Sequence, residues 1–146
     1  MAYVSDGIVD QLRRNAVALV SIIIAVSSLS YNTWRNEKTE ENRNQRLAAF
    51  EVLLKLNELQ QVIFHSHYDK DSSDKGNPRT GWTYVLTVRD LSRILHPPLP
   101  EAADELLEVW GKNWQGLDEK QANVDLITGE IDNIRSETLR LLESLE

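Results

Sequence analysis

The sequence predicts an all-α fold in which an N-terminal transmembrane helix is continuous with a long helix, packed into a three- or four-helix antiparallel bundle. Three observations predict it. Residues 15–34 carry no charge, no proline or glycine occurs between residues 8 and 69, and the last part of the chain repeats apolar residues at alternating steps of four and three. No alternating strand pattern and no internal repeat is present.

The composition is that of one folded domain rather than of a disordered or polytopic chain. The 146 residues are 41% hydrophobic and 27% charged, with a net charge of -7. Before the apolar run the charges cancel, since Asp6 and Asp10 are balanced by Arg13 and Arg14. The net negative charge therefore lies entirely after the run. An acidic domain repels phosphate backbones, which argues against a nucleic-acid partner. The absence of cysteine excludes disulfides, thiolate catalysis and cysteine zinc sites, and we expect no cofactor.

Residues 15–34 are the predicted membrane anchor. A helix of this length spans about 30 Å, the thickness of the bilayer core. Arg13 and Arg14 precede it, and Tyr31 and Trp34 lie near its other end, where aromatic rings favour the membrane interface. A cleaved signal peptide and a buried core helix are the alternatives. No A-x-A cleavage site follows and helix-favouring sequence continues, so an uncleaved anchor is predicted.

The N-terminal tail, residues 1–14, has two interpretations. It lies along the membrane surface as an amphipathic helix, or it extends the anchor; the first is suggested by the helical spacing of Val4, Ile8, Val9 and Leu12. The short tail with adjacent arginines favours a domain outside the cytoplasm, which we expect. The lysines and arginines that follow the anchor favour a cytoplasmic domain instead, and this remains the alternative.

Small and weakly polar residues form a stripe along one side of the anchor, which would let a neighbouring helix approach closely. We refer to these residues as the membrane stripe: Ala18, Ser21, Ala25, Ser28 and Asn32. Lining a pore in an oligomer is the alternative role. The same register continues through a polar helical neck, residues 35–46, and then becomes mostly apolar at Ala49, Leu53, Leu56, Gln60 and Ile63.

Residues 47–146 are the predicted soluble bundle. A polar stretch over 68–80 is predicted to end the first helix, and it contains the helix-breaking residues Gly76 and Pro78. A second helix is predicted over 82–95, with its buried residues expected to be Trp82, Val85, Leu86, Leu91, Ile94 and Leu95. Prolines stop it, and a third helix is predicted from Pro100 to about residue 114 with Leu106, Leu107 and Trp110 inward.

The last helix has the clearest pattern of the chain. Strict four-three spacing defines the predicted bundle seam, Val124, Ile127, Ile131, Ile134, Leu141 and Leu145, with Thr138 in the same register. Leu139 and Leu142 widen this apolar face beyond a two-stranded seam, which suits a bundle. Antiparallel packing of the first and last helices is the simplest solution.

Histidines and acids crowd together at the end of the first helix, and this is the one candidate metal site. Residues two apart, such as His65 and His67, do not share a helix face, whereas His65 and Asp69 have the spacing of four that does. The Glu-x-x-His and His-Glu-x-x-His patterns are absent, and residues 69–80 lack the glycine and glutamate of a calcium loop. We therefore expect no metal, with His65 and Asp69 as the candidates that remain, and no nucleophile beside a base.

Three segments carry a resemblance to known proteins: Tyr31-Asn-Thr-Trp-Arg-Asn-Glu37, Asn42-Arg-Asn44 and Ala48-Ala-Phe-Glu-Val-Leu53. Over about a quarter of the chain, the sequence resembles a group of uncharacterised bacterial single-pass membrane-anchored helical proteins. The resemblance implies a location in the bacterial inner membrane. It implies no activity and no functional residue.

The sequence therefore predicts a non-enzymatic interaction protein, which assembles as a homo-oligomer or as a subunit of a larger membrane complex. Two alternatives come from other classes. A single-pass sensor with a helical input domain would pass a shift or rotation across the membrane to a separate partner. A metal-dependent enzyme would be built on His65 and Asp69.

Overall fold

The computed structural model describes the backbone of residues 3–145 and the side chains in that range other than those of residues 3–6, 8 and 12. Its helices are α1 (Tyr3–His67), α2 (Pro78–Ser92), α3 (Leu99–Asn113) and α4 (Gln121–Ser144), with a 3-10 turn at Trp114–Gly116. No strand occurs within residues 3–145, and the prediction of an all-α protein is confirmed.

Contacts within the chain divide it into two compact units, Met1–Glu41 and Asn42–Glu146. Every side chain described in the first unit is exposed. Among the described residues, α1 is the one helix long and apolar enough to cross a membrane by length and composition, and none of its apolar window is buried. Of the predicted amphipathic tail, Val9 is exposed, and the side chains outside the described set are those of Val4, Ile8 and Leu12.

The second unit has its own hydrophobic core, to which α1 contributes one face. The buried residues on this face are Ala48, Ala49, Val52, Leu56, Leu59, Val62 and Ile63. Three of them, Ala49, Leu56 and Ile63, belong to the three-and-four register that continues from the membrane stripe. Leu53 and Gln60 of that register are partly buried. Within this unit the register therefore lies at or beside the core of the chain itself.

Helix α2 begins at Pro78, earlier than the predicted start at Trp82. The side chain of Asn77 accepts a hydrogen bond from the backbone N–H of Arg79 at 3.0 Å and so caps the first turn. Pro78 then occupies a position where the missing N–H costs nothing. A proline that looks like a helix breaker in the sequence is here a helix start.

The buried face of α2 also differs from the predicted one. It consists of Gly81, Val85, Val88 and Ser92. Leu86 and Ile94, which were expected to be buried, are exposed, whereas Trp82 and Leu91 are partly buried. The helix ends at Ser92 and not at Leu95, although Leu95 is buried in the turn that follows.

Aromatic rings and a glycine set the contact between α2 and α3. The ring of Trp110 is fully buried and meets that of Trp82 edge-on, with centroids 6.5 Å apart. Trp82 also contacts Trp114, with centroids 6.3 Å apart. A Cβ on Gly81 would collide with the Trp110 ring, so the absence of a side chain there lets the two helices approach.

Hydrogen bonds join α1 to distant parts of the second unit. Arg46 donates to the carbonyl of Leu145. Arg135 donates to Oδ1 of Asn57 at 3.2 Å. Nδ1 of His67 lies 2.6 Å from the carbonyl oxygen of Leu117, and α3 packs against both α2 and α4.

Candidate functional site

The membrane stripe lies on an exposed helical surface in the first unit. All of its members are exposed: Ala18, Ser21, Ala25, Ser28 and Asn32. The hydroxyl of Ser21 donates to the carbonyl of Val17 at 2.8 Å, so this polar group is satisfied inside its own helix. A helix with a small and internally satisfied surface offers close backbone approach to a neighbour without leaving that hydroxyl unpaired.

Aromatic side chains stand next to each other at the C-terminal end of the predicted anchor. The rings of Tyr31 and Trp34 have centroids 6.0 Å apart, and both are exposed. In the following turns Lys38 and Glu41 form an exposed ion pair at 3.3 Å. The helix surface thus changes from aliphatic to aromatic to charged along its length, the order in which side chains occur through a bilayer interface.

The candidate metal ligands His65 and Asp69 do come together. Nδ1 of His65 lies 2.6 Å from Oδ2 of Asp69, which is the contact expected from their spacing of four. Among the described side chains no group of three or more His, Cys, Asp or Glu is placed to hold a metal ion. His67 points elsewhere, to the carbonyl of Leu117.

The loop after α1 is organised by Asp71. Its carboxylate accepts the backbone N–H groups of Asp74 at 3.1 Å and Ser73 at 3.3 Å, and the Ser73 hydroxyl at 3.2 Å. These hydrogen bonds, that from Asp74 foremost, hold the pKa of Asp71 below its ordinary value. Gly76 is buried, and a Cβ there would collide with the carbonyl oxygen of Asp71 and the backbone of Ser66. The chemistry of this loop is that of a tight polar turn.

A cavity of about 410 Å³ lies beside His65. Side chains of both charges line it, among them Glu58, Asp74 and Lys75, together with the ring of Tyr84. One turn along α1, the ammonium of Lys55 donates to the carboxylate of Glu58 at 2.8 Å. This hydrogen bond raises the pKa of Lys55. The carboxylate of Glu58 at this cavity is therefore paired with a neighbouring cation.

The predicted bundle seam lies largely in the core of the second unit. Five of its six members are buried, namely Val124, Ile127, Ile131, Ile134 and Leu145, and Leu141 is partly buried against the core. Thr138 is fully buried, and its hydroxyl donates to the carbonyl of Ile134 at 2.7 Å. The seam is occupied by contacts within this chain.

Two features of α1 were missed by sequence reasoning. Gln45, assigned to the solvated neck, is buried and bonds the backbone beyond α2. Several large apolar residues of α1 point away from the core, of which Leu47, Phe50 and Leu54 are the first. Their spacing at steps of three and four was a usable signal, but it was hidden by the stronger apolar pattern one position away.

Comparison with models of protein families, with curated proteins and with solved structures gives no match for this chain.

Proposed function

We propose that this chain is a non-enzymatic, single-pass protein of the bacterial inner membrane, which acts as a scaffold or accessory subunit. It assembles through its membrane helix and its helical domain, with itself or within a larger membrane complex. One observation carries the proposal: eight large aliphatic side chains of α1 are 54% to 69% exposed, namely Val17, Leu19, Val20, Ile22, Ile23, Ile24, Val26 and Leu29.

The free-energy cost of leaving this surface in water is large. Burying one such side chain is worth about 2 kcal/mol, so eight of them together represent about 16 kcal/mol. That is comparable with the whole stability of a typical domain, roughly 5–15 kcal/mol. A hydrocarbon environment removes the cost, and a helix satisfies its own backbone groups there.

The ends of the segment support a transmembrane position. Arg13 and Arg14 lie on one side, and the exposed rings of Tyr31 and Trp34 lie on the other. Within the segment, the internal hydrogen bond of Ser21 avoids an unpaired donor in lipid. The membrane stripe then supplies the surface on which a second helix packs.

We propose that residues 42–145 form an antiparallel bundle outside the bilayer. Arg46, early in this unit, bonds the carbonyl of Leu145 near the chain end, and His67 at the end of α1 bonds Leu117 before α4 begins. Between them, Asn57 bonds Arg135. This order of contacts supports opposite directions for α1 and α4. The location proposed for the bundle is the periplasm, because Arg13 and Arg14 directly precede the apolar segment.

Membrane anchoring is tested by charge substitution in the full-length protein. The double variant Ile22→Lys/Ile23→Lys places two charges in the apolar segment, at about 3 kcal/mol each. We expect the wild-type protein to stay in the membrane pellet after alkaline carbonate extraction and the variant to move to the supernatant. The matched control, Ile94→Lys/Leu126→Lys, alters two exposed aliphatic residues of the other unit and should stay in the pellet.

Assembly is tested by the mass of the protein after gentle detergent extraction. We expect a mass above that of one chain, lowered by Ser28→Leu, which adds bulk to the membrane stripe. Val26→Leu, at an exposed position off the stripe, serves as the control and should leave the mass unchanged. A wild-type mass of one chain would contradict the assembly proposal, and wild-type protein in the carbonate supernatant would contradict the anchor.

A further inference from the structure

The part of α1 in the second unit carries a second apolar face, directed away from the core. Its members recur at alternating steps of three and four, and all are exposed. We define the outer face as Leu47, Phe50, Leu54, Asn57, Gln61, Phe64 and Tyr68. Tyr68 directly follows the helix, and its N–H still bonds the carbonyl of Phe64 at 2.9 Å. The five apolar or aromatic members are 48% to 61% exposed.

The opposite side of the same helix is committed to the core. Val52, Leu59 and Ser66 recur every seven residues and are fully buried. If the outer face supplies positions a and d of a heptad, these three residues are at f, on the far side of the helix. The outer face is therefore an exposed heptad seam, distinct from the seam inside the bundle, and α4 borders it through the hydrogen bond of Arg135 to Asn57.

We propose that the outer face is the surface through which two copies of this chain dimerise, as a parallel two-stranded coiled coil of α1 with α1. This inference rests on the proposed membrane function, since two copies anchored through the same end of α1 run in the same direction. A three-and-four repeat of apolar residues on both chains gives the knobs-into-holes packing of such a coil.

Charge complementarity supports a second copy as the occupant. In a parallel coil, position g of one helix faces position e five residues later on the other. Here Arg46 stands at g and the exposed Glu51 at e. Arg46 of each copy therefore lies opposite Glu51 of the other copy, which gives two such pairs in a symmetric dimer. One N–H group of Arg46 bonds Leu145 in its own chain, and the guanidinium has five such groups.

Polar residues in the middle of the outer face support a defined register. Asn57 stands at a d position and Gln61 at the next a position. Asn57 accepts from Arg135 through Oδ1. In the proposed coil its amide N–H groups would donate across the seam. A polar pair in an otherwise apolar seam selects register and strand number at some expense of affinity.

The outer face is smaller than the interface of a dimer that is stable in solution, so the proposed dimer depends on anchoring of both copies in one membrane. Five half-exposed side chains offer about 500 Å² per chain at ~100 Å² each. Stable dimers in solution bury about 800 Å² per partner. Beside Phe50, a groove of about 540 Å³ lined also by Leu139 and Leu142 of α4 adds apolar surface. Confinement to one membrane raises the effective concentration and compensates for a modest interface.

The test uses the absence of cysteine from the chain. Single cysteines are placed in the full-length protein at Phe50 or Leu54, and isolated membranes are oxidised with copper phenanthroline. Control variants carry cysteine at Leu126 or Ile94, which are 55% and 59% exposed but lie off the outer face. We expect Phe50→Cys and Leu54→Cys to give a disulfide-linked band near twice the chain mass of 16.7 kDa, at tenfold or greater yield over the controls.

A second variant tests the register. Adding Glu51→Arg to Leu54→Cys sets arginine against Arg46 of the second copy, and we expect the yield to fall threefold or more. Asp104→Arg, an exposed acid on α3, is the matched control and should leave the yield unchanged. A yield insensitive to Glu51→Arg would overturn the parallel register.

The outcomes separate this inference from the proposed function. Equal yields at outer-face and control positions, or adducts only with a foreign protein, would overturn the second copy as the occupant. Cross-linking at Ser28→Cys without cross-linking at Leu54→Cys would also overturn it, while leaving membrane anchoring and assembly in place. Loss of the wild-type protein from the membrane pellet would instead contradict the proposed function itself.

Discussion

The side chain of Gln45 bonds the backbone at Ile94. Its Nε2 donates to the carbonyl of Ile94 at 2.6 Å, and its Oε1 accepts the N–H of His96 at 3.2 Å. Gln45 is only 7% exposed. One amide therefore satisfies a carbonyl and an N–H in the turn between α2 and α3, where helical hydrogen bonds have ended.

Replacing Gln45 with leucine should destabilise the protein by about 1–3 kcal/mol, since two backbone groups lose their partner. The measurement is denaturant unfolding of the full-length protein in detergent, followed by tryptophan fluorescence. Gln115→Leu, at an exposed position of the 3-10 turn, should change the free energy of unfolding by less than about 0.5 kcal/mol. Equal effects of the two substitutions would show that the amide of Gln45 contributes little.

Two glycines in helices should respond to alanine in opposite directions. At Gly81 a Cβ meets the buried ring of Trp110, and we expect Gly81→Ala to lower the free energy of unfolding by about 1–3 kcal/mol. At Gly129 nothing lies within 4 Å, so Gly129→Ala should raise it by about 0.5–1 kcal/mol. Thermal melting of both variants checks the pair, and a stabilised Gly81→Ala protein would contradict the close contact of α2 with α3.

The stability supplied by Asp71 should depend on pH. Hydrogen bonds, first that from the N–H of Asp74, lower the pKa of this carboxyl in the folded protein. Such a group stabilises the fold above the ordinary aspartate pKa of about 3.9, and the contribution is lost as the pH falls through the lowered value. Asp71→Asn should therefore melt below the wild type at pH 7, with the gap closing below about pH 4. A gap that stays constant from neutral to strongly acidic pH would contradict this.

A buried hydroxyl without a partner should be dispensable. Among the described residues, Ser92 Oγ is buried and makes no hydrogen bond, whereas the buried hydroxyl of Thr138 bonds Ile134. Ser92→Ala should leave the free energy of unfolding unchanged or raise it by about 1 kcal/mol, because an unsatisfied polar group is removed. Thr138→Val should lower it by about 1 kcal/mol. Both values follow from denaturant unfolding, and a large loss in Ser92→Ala would indicate a partner for its hydroxyl.

Periodicity carried the prediction of the fold class. A chain without strand patterns, with long apolar repeats at helical spacing, has few ways to bury its apolar residues other than helix against helix. The all-α class follows from that alone. The long uninterrupted α1 and the buried residues of α4 were predictable for the same reason, because both depend on local sequence and on the period of 3.6 residues.

Some contacts of the described residues could be predicted from the sequence, and others could not. The contact of His65 with Asp69 was predictable, since a spacing of four on a helix brings side chains together. The burial of Gln45 was not, since its partners at Ile94 and His96 lie about fifty residues away in sequence. Nothing in the sequence around a polar residue in a polar segment indicates that its side chain will bond a backbone group distant in sequence.

The sequence by itself determined that this chain is helical and that residues 15–34 are an uncharged apolar segment, because composition and spacing act locally. Only the tertiary structure decided the phase of α2, where Gly81 faces Trp110 while Leu86 stays exposed. It also decided which of the two heptad faces of α1 enters the core. The physical reason is that a short amphipathic helix can rotate at small local cost, and close packing against a large ring selects one rotation.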